Sequence, residues 1–388
     1  MNYKISHVSK IVNCKINLPA SKSISNRLLI IQALCNNKFT INNLSDSDDT
    51  IALKKALLKD NNEINVGAAG TTFRFLASFL AIQRGKEFIL TGTKRIKERP
   101  IKNLVSTLQS LGAKICYLEK EGFAPLKIKG TEIIGGEVEI DGTISSQFIT
   151  SILLVGPIFK KGLKLKIKGN LVSKSYVKMT LNLLKEFGIK SIWKDNIIEV
   201  KPQKYIGKTK TVEADWSAAS FWFEIAALSK KCNICLVGLY EKSIQGDILL
   251  IQIFKRLGVK SIFIDGELHL TKIYSNNEEK IFDLAETPDL YQPLACTLHA
   301  KKIKVKFTGT DTLKYKETDR IYALKKELDN ISTSINTYRD HRMAMSFAPL
   351  CLIHDRITIN NVEVVSKSYK NFWNDLSKAG FIIDPLSD

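Results

Sequence analysis

No apolar run in this chain approaches the ~20 residues that a membrane-crossing helix needs. The longest, Ile152 to Phe159, is interrupted by Gly156 and Pro157. The opening residues, Met1-Asn-Tyr-Lys-Ile-Ser-His7, have neither the apolar centre of a signal peptide nor the arginine-rich look of a transit peptide. A cytoplasmic protein is expected. Paired cysteine motifs are also lacking. Seven cysteines, an odd and scattered set, read as reduced thiols in a chain with no export signal. Cys232-Asn-Ile-Cys235 has no second pair and lies in an apolar run, Cys232 to Val237, that reads as a strand. Buried small residues are expected there, and no His/Cys cluster offers a metal site. Walker and dinucleotide fingerprints are missing too: Gly67-Ala-Ala-Gly-Thr-Thr-Phe-Arg74 is glycine-rich and precedes an apolar helix, but fits neither. No metal or cofactor is expected.

Acidic residues are in deficit, 39 against 58 Lys and Arg, for a formal charge of +19. A basic field attracts polyanions, but the lysines are spread along the chain instead of forming a stripe. A nucleic-acid surface would interleave cations with aromatics, and aromatics are absent around Lys22 and Arg99. Neither nucleic acid nor membrane is expected as a partner. A hydrophobic content of 44% with 25% charged residues fits a soluble globular protein. At 388 residues the chain exceeds one compact core, so two domains are expected.

What the chain does contain is a repeat: an amphipathic helix, a glycine, then a short apolar strand. It appears at Leu104–Ile115, Leu181–Ile192, Leu249–Ile262 and Phe372–Ile383. Gly112, Gly188, Gly258 and Gly380 suit left-handed helix caps, where a Cβ would clash. Weaker copies use Asp60-Asn61-Asn62 and Asp329-Asn330 instead. Runs such as Phe88–Thr91, Val138–Ile140 and Lys164–Lys168 read as strands. Six copies imply a repeated α/β unit. A break in character near Thr211–Ser217 leaves three units on each side, which suggests two similar halves with a cleft between them.

Several segments combine small or polar residues with cations. Leu18-Pro-Ala-Ser-Lys-Ser-Ile-Ser-Asn-Arg27 opens a helix with Lys22 and Ser23 at its start and Arg27 one turn on. Two readings fit: a phosphate site built from free N–H groups, ammonium and guanidinium, or an ordinary serine-capped helix with solvated cations. Gly92–Pro100 places four cations in six residues, and a solvated loop is its plainer reading. Ser145-Ser146-Gln147 and Ser173 precede helices and could be simple caps. Lys316-Glu-Thr-Asp-Arg320 and Asp340-His-Arg342 put cations at helix starts against the dipole preference, a local rule-breaking that often marks functional positions. With Arg99 and Lys367 the cations number seven, and Asp289 and Glu317 are the obvious acids among them.

The segments Leu18–Arg27, Lys97–Pro100, Ser145–Gln147, Leu171–Lys174, Gln245–Asp247, Lys316–Arg320 and Asp340–Met343 resemble, in that order, the motifs of the 5-enolpyruvylshikimate-3-phosphate synthases, of the enolpyruvyl transferase family. The resemblance runs from about residue 18 to 373. It implies a two-domain inside-out α/β barrel, each domain of three βαβαββ-type units. Residues 1–20 and 214–388 would form one domain and 21–213 the other, with a hinge near 20 and 214. It implies a monomeric shikimate-pathway transferase that moves a carboxyvinyl group from phosphoenolpyruvate to the 5-hydroxyl of shikimate 3-phosphate by addition and elimination. On the same resemblance, Lys22, Ser23, Arg27, Ser145, Ser146, Gln147, Ser173, Asp289 and Lys316 hold shikimate 3-phosphate. Lys22, Gly70, Arg99, Gln147, Arg320, Arg342 and Lys367 hold phosphoenolpyruvate, and catalytic roles fall to Asp289, Glu317 and Lys22.

Departures from the family pattern are Ala68 in place of an asparagine, Thr312 where some relatives have asparagine, Lys370 in place of a proline, and a shortened segment between Arg320 and His341. The last implies a lost hairpin in the fifth unit. The sister enzyme acting on UDP-N-acetylglucosamine usually carries a cysteine in the loop matching Thr91–Pro100, and this loop has none. A degenerate, inactive homologue is the other alternative, and retention of both acids and all seven cations argues against it.

Overall fold

The computed structural model describes residues 1–58, 62–275, 280–331 and 334–386. Backbone contacts divide the chain into two units, Lys22–Val212 and the discontinuous Met1–Ser21 with Glu213–Asp388. Strands and helices are numbered along the chain.

In Lys22–Val212 one sheet runs in the order β4 (Glu63–Asn65), β5 (Glu87–Thr91), β7 (Leu126–Lys129), β6 (Lys114–Tyr117). A second runs β8 (Gly136–Asp141), β9 (Leu163–Lys168), β11 (Ile197–Val200), β10 (Ser191–Lys194). In each the first pair is parallel and the other two are antiparallel. A parallel pair needs a crossover and an antiparallel one only a turn. The crossovers are α3 (Gly70–Ala81) and α6 (Ser146–Val155); α4 (Lys94–Glu98) with α5 (Lys102–Ser110), and α7 (Lys174–Glu186), lead into the hairpins. The third piece is a parallel two-stranded ribbon of β3 (Ile41–Asn42) and β12 (Lys210–Thr211), with α1 (Lys22–Leu34) and α2 (Asp48–Leu58).

The other unit repeats the scheme. One sheet runs β2 (Ile11–Asn17), β13 (Lys231–Val237), β15 (Glu267–Lys272), β14 (Val259–Ile264), with α8 (Trp216–Leu228) and α9 (Leu250–Arg256). A second joins β18 (Ser334–Ile335), β19 (Arg356–Asn360), β1 (Asn2–Ser6) and β20 (Ile382–Leu386), with α12 (His341–Phe347), α13 (Cys351–His354) and α14 (Phe372–Lys378). Here the N-terminal strand β1 takes the place that a hairpin strand takes elsewhere. A parallel ribbon of β16 (Ile281–Asp283) and β17 (Lys306–Thr308) carries α10 (Tyr291–Ala300) and α11 (Arg320–Leu328).

Two of the six repeats are therefore shorter than expected. The shortened segment after α11 has no hairpin among the described residues, and the β3/β12 ribbon has none either. Nor does any sheet close into a barrel: all are linear among the described residues. The expectation of helices inside and sheets outside does have a physical basis. Helix α8, Trp-Ser-Ala-Ala-Ser-Phe-Trp-Phe-Glu-Ile-Ala-Ala-Leu, is apolar nearly all round and buries all its residues but Ser217, as a helix without a polar face must. Helices α6 and α12 are likewise almost wholly buried. The strands alternate buried with half-buried or exposed positions, as at Leu163–Lys168, so one sheet face meets the helices.

The four cap glycines adopt φ of 105°, 85°, 93° and 90° at Gly112, Gly188, Gly258 and Gly380, a region a Cβ disfavours. The Asp329-Asn330 copy differs: Asp329 is right-handed at φ −70° and neither residue has positive φ. Asp60 and Asn61 lie outside the described residues. The run Cys232–Val237 is strand β13, as read.

Candidate active site

Each parallel strand pair delivers its chain from a strand's carboxyl end toward a helix start, and the predicted residues lie in these connections. Free N–H groups of first helical turns collect there, on the side of a parallel sheet where ligands usually bind. In Lys22–Val212, Gly70 opens α3, Arg99 follows α4, Ser145 caps α6, Ser173 precedes α7 and Lys22 opens α1.

These residues are linked. The Lys22 ammonium lies 3.9 Å from the buried Asp49 carboxylate. The carbonyl of Asp49 accepts from Thr72 Oγ1 at 2.7 Å, which ties α2 to the start of α3. A Cβ on Gly70 would collide with the Arg99 guanidinium, whose Cζ stands 3.0 Å from that position. Glycine there lets a buried guanidinium lie directly on the backbone. Thr71 Oγ1 accepts from Gln147 Nε2 at 3.2 Å, while Gln147 Oε1 is buried with no hydrogen-bond partner. Ser145 accepts from the Gln147 amide, so it is a cap, and Ser146 is buried behind it. Ser173 holds a left-handed conformation at φ 54° while buried, a strained state for a non-glycine residue that is often found at functional sites.

Arg27 is buried. Its Nε donates to Thr180 Oγ1 at 2.9 Å, Nη1 to the Ser23 carbonyl at 2.7 Å, and Nη2 to the Tyr176 carbonyl at 3.2 Å and Thr150 Oγ1 at 3.4 Å. The Phe75 and Tyr176 rings flank it at 5.6 and 5.8 Å. All of these partners are neutral. Burial lowers its pKa to about 10, which leaves it charged at neutral pH.

In the other unit, Asp289, Glu317, Arg320, Arg342 and Lys367 form one ion-pair network. Arg320 is buried and donates through Nε to Asp340 Oδ2 at 2.8 Å, through Nη1 to Asp289 Oδ1 at 3.0 Å and through Nη2 to Glu317 Oε2 at 2.9 Å. Burial alone would lower its pKa, but the three carboxylates raise it above its ordinary value. Arg342 Nη1 donates to the Asp289 carbonyl at 3.0 Å, and its Nη2 lies 3.5 Å from Asp289 Oδ2. Lys367 Nζ is 3.4 Å from Glu317 Oε1. Asp319 and Asp340 cap α11 and α12, which offsets the cations at those helix starts. Lys316 follows the turn Asp311–Tyr315.

Sequence reasoning missed three acids of this arrangement: Asp49, Asp340 and Asp247. The last two stood inside quoted motifs, but their partners come from distant segments. Asp247 accepts from the Ser217 hydroxyl. Burial, then the nearby Asp289 and Asp215 charges, push its pKa up to about 7 against the pull of Ser217 and Arg342. A raised acid is most favourable to the fold when protonated. That contribution is complete below its ordinary value of 3.8 and is lost as pH rises through about 7. Asp247→Asn, fixed in the neutral form, should gain stability relative to the parent between about pH 4 and 7, by up to ~1.4 kcal/mol per pH unit. Denaturant melts across that range check this, and a pH-independent difference would contradict it.

The chain matches the sequence profile described as EPSP synthase (3-phosphoshikimate 1-carboxyvinyltransferase) over residues 7–59, 52–335 and 330–376. It is 44% identical to the 3-phosphoshikimate 1-carboxyvinyltransferase of Bacteroides fragilis strain YCH46, with 98% of each chain covered. It is 36% identical to the enzyme of that name from Buchnera aphidicola subsp. Cinara cedri, with 93% of each covered. The chain belongs to the EPSP synthase family. As a member it is a transferase of aromatic amino-acid biosynthesis that passes the enolpyruvyl group to shikimate 3-phosphate. An EPSP synthase structure from Acinetobacter baumannii superposes with a TM-score of 0.77 over 99% of this chain and 100% of that one, at 20% identity. That likeness establishes the two-domain α/β fold.

Proposed function

We propose that the two residue sets serve one pair of substrates in an addition–elimination reaction. Lys22, Ser23, Arg27, Ser145, Ser146, Gln147, Ser173, Asp289 and Lys316 hold shikimate 3-phosphate. Lys22, Gly70, Arg99, Gln147, Arg320, Arg342 and Lys367 hold phosphoenolpyruvate. The observation that supports this best is Arg27, a buried guanidinium whose hydrogen bonds all go to neutral groups. An anionic substrate supplies the missing counter-charge. The unpartnered Gln147 Oε1 suits a substrate hydroxyl.

Asp289 takes the proton from the 5-hydroxyl as that oxygen bonds to C2 of phosphoenolpyruvate. Glu317 gives a proton to C3 through the electron pair of the double bond, so that C3 becomes a methyl group and C2 the tetrahedral centre of an intermediate. Loss of a proton from that methyl carbon then expels phosphate and restores the double bond. Lys22 steadies the charge gathering on the departing phosphate. Donation requires Glu317 in its acid form, and its contacts with Arg320 and Lys367 oppose this. Substrate anions drawing on those same cations would relax that opposition. The reading includes a hinge where the chain passes between units near residues 20 and 214, a cytoplasmic location and a monomer.

The test is phosphate release from purified protein. It should require both phosphoenolpyruvate and shikimate 3-phosphate. Release with UDP-N-acetylglucosamine in place of shikimate 3-phosphate would overturn the substrate reading.

A further inference from the structure

The face of the β2-β13-β15-β14 sheet that turns away from the core carries a cluster with no part in the transfer chemistry. Cys235 and His269 are directly paired across the antiparallel strands β13 and β15. Glu267 precedes His269 by two residues and therefore shares its face. Ile234, Leu236, Leu268 and Leu270, at the alternate positions, point into the core. Both cysteines of the C-x-x-C are buried, as expected, but Cys232 lies among those core side chains and Cys235 on the opposite face beside Glu267.

The three side chains converge. Cys235 Sγ donates to Glu267 Oε2 at 3.0 Å and lies 3.9 Å from His269 Nε2. One ligand atom from each falls within 4.8 Å of the others. Lys15, on the parallel neighbour β2, bonds Glu267 Oε1 at 2.6 Å, which leaves Oε2 turned to the thiol. The anchoring strands β13 and β15 are the two inner strands of the sheet, so the ligands stand on rigid backbone.

We propose that Cys235, Glu267 and His269 bind one thiophilic divalent transition-metal ion of the zinc class. A tetrahedral ion with metal–sulfur near 2.3 Å and metal–nitrogen or –oxygen near 2.0–2.2 Å spaces its ligands about 3.3–3.8 Å apart. The observed separations reach that with side-chain shifts of under about 1 Å. Thiolate with imidazole selects zinc or cobalt over magnesium or calcium, whose ligands are oxygen. On binding, the sulfur–hydrogen bond to Glu267 is replaced by a sulfur–metal bond, and the thiol proton leaves to water. Three protein ligands leave the fourth position to water. The sequence reading of Cys235 as merely a buried small residue took no account of Glu267 and His269, which lie more than thirty residues away.

Titration of metal-stripped full-length protein with Co(II) tests this. The expected result is a thiolate-to-cobalt charge-transfer absorption that saturates at one equivalent and is displaced by Zn(II). Cys235→Ser should abolish it. His269→Ala should weaken Zn(II) binding by at least ~10-fold, measured against a chromophoric chelator. Cys116→Ser, which removes an exposed thiol, should leave the absorption intact. Retained transferase turnover in each variant verifies its fold, since none of these residues belongs to the substrate sets, and His269→Gln replaces any variant that fails this check. Persistence of the absorption in Cys235→Ser, or unchanged zinc affinity in the His269 variants, overturns the proposal.

Discussion

Asp289→Asn is expected to lower kcat by ~10²–10⁴-fold while shikimate 3-phosphate still binds, because it removes a general base and little else. The asparagine keeps the shape and one acceptor for Arg320 Nη1, now 3.0 Å from Asp289 Oδ1. The bond from Arg342 Nη1 goes to the residue 289 main-chain carbonyl and is untouched. What disappears is a carboxylate able to take a proton. The charge change also predicts which kinetic constant moves. Losing an acid beside Arg320 and Arg342 leaves those cations less neutralised, so attraction for phosphoenolpyruvate should not weaken. The loss therefore belongs in kcat, with KM for phosphoenolpyruvate unchanged or lower. Steady-state kinetics with equilibrium binding of shikimate 3-phosphate separate the two. Turnover within a few-fold of the parent would remove Asp289 as the base, and a pure KM rise would make it a binding group.

How far the sequence discloses this depends on the range of the interaction behind each feature. The repeat is legible because its marks are local. A glycine after an amphipathic helix signals a positive-φ cap, and all four such glycines have one. The substitute pair Asp329-Asn330 failed because Asn and Asp only tolerate that conformation, whereas glycine favours it. Strand β13 is a local pattern too. The two short ribbons were harder to read. Their strands are only two or three residues long, and pairing over so short a run leaves no alternation to detect.

The acids around Arg320 show the opposite case. From sequence, Lys316 and Arg320 are cations at a helix start that contradict the dipole. The structure gives the reason for Arg320: Asp289 and Asp340 reach it from segments 31 and 20 residues away. No window along the chain contains that information. Asp247 is similar, since its raised pKa arises from burial near Asp289, a residue of a different repeat. The resemblance to the family located these motifs without explaining them.

Replacement of Arg320 by methionine should be the most damaging single change in this unit. The guanidinium is buried and serves three carboxylates at 2.8–3.0 Å in three directions. Asp340 is itself fully buried and uses its other oxygen to cap α12 through the Arg342 amide at 2.9 Å. Without the arginine Asp340 loses its arginine counter-ion in a poorly solvated place, while Asp289 and Glu317 keep only the longer contacts to Arg342 and Lys367, a loss of about 3–5 kcal/mol. Lysine restores one positive charge but no fork, so it cannot meet acceptors that diverge. Arg320→Lys should therefore recover part of the stability while its kcat/KM for phosphoenolpyruvate stays at least ~10²-fold down, since in the proposed reading the guanidinium also binds that substrate. Urea melts of the three proteins beside their steady-state kinetics give both readouts. If the methionine variant melts with the parent, the network is not holding this region together. If the lysine variant regains full kcat/KM, Arg320 supplies only a point charge, and the case for a guanidinium gripping phosphoenolpyruvate fails.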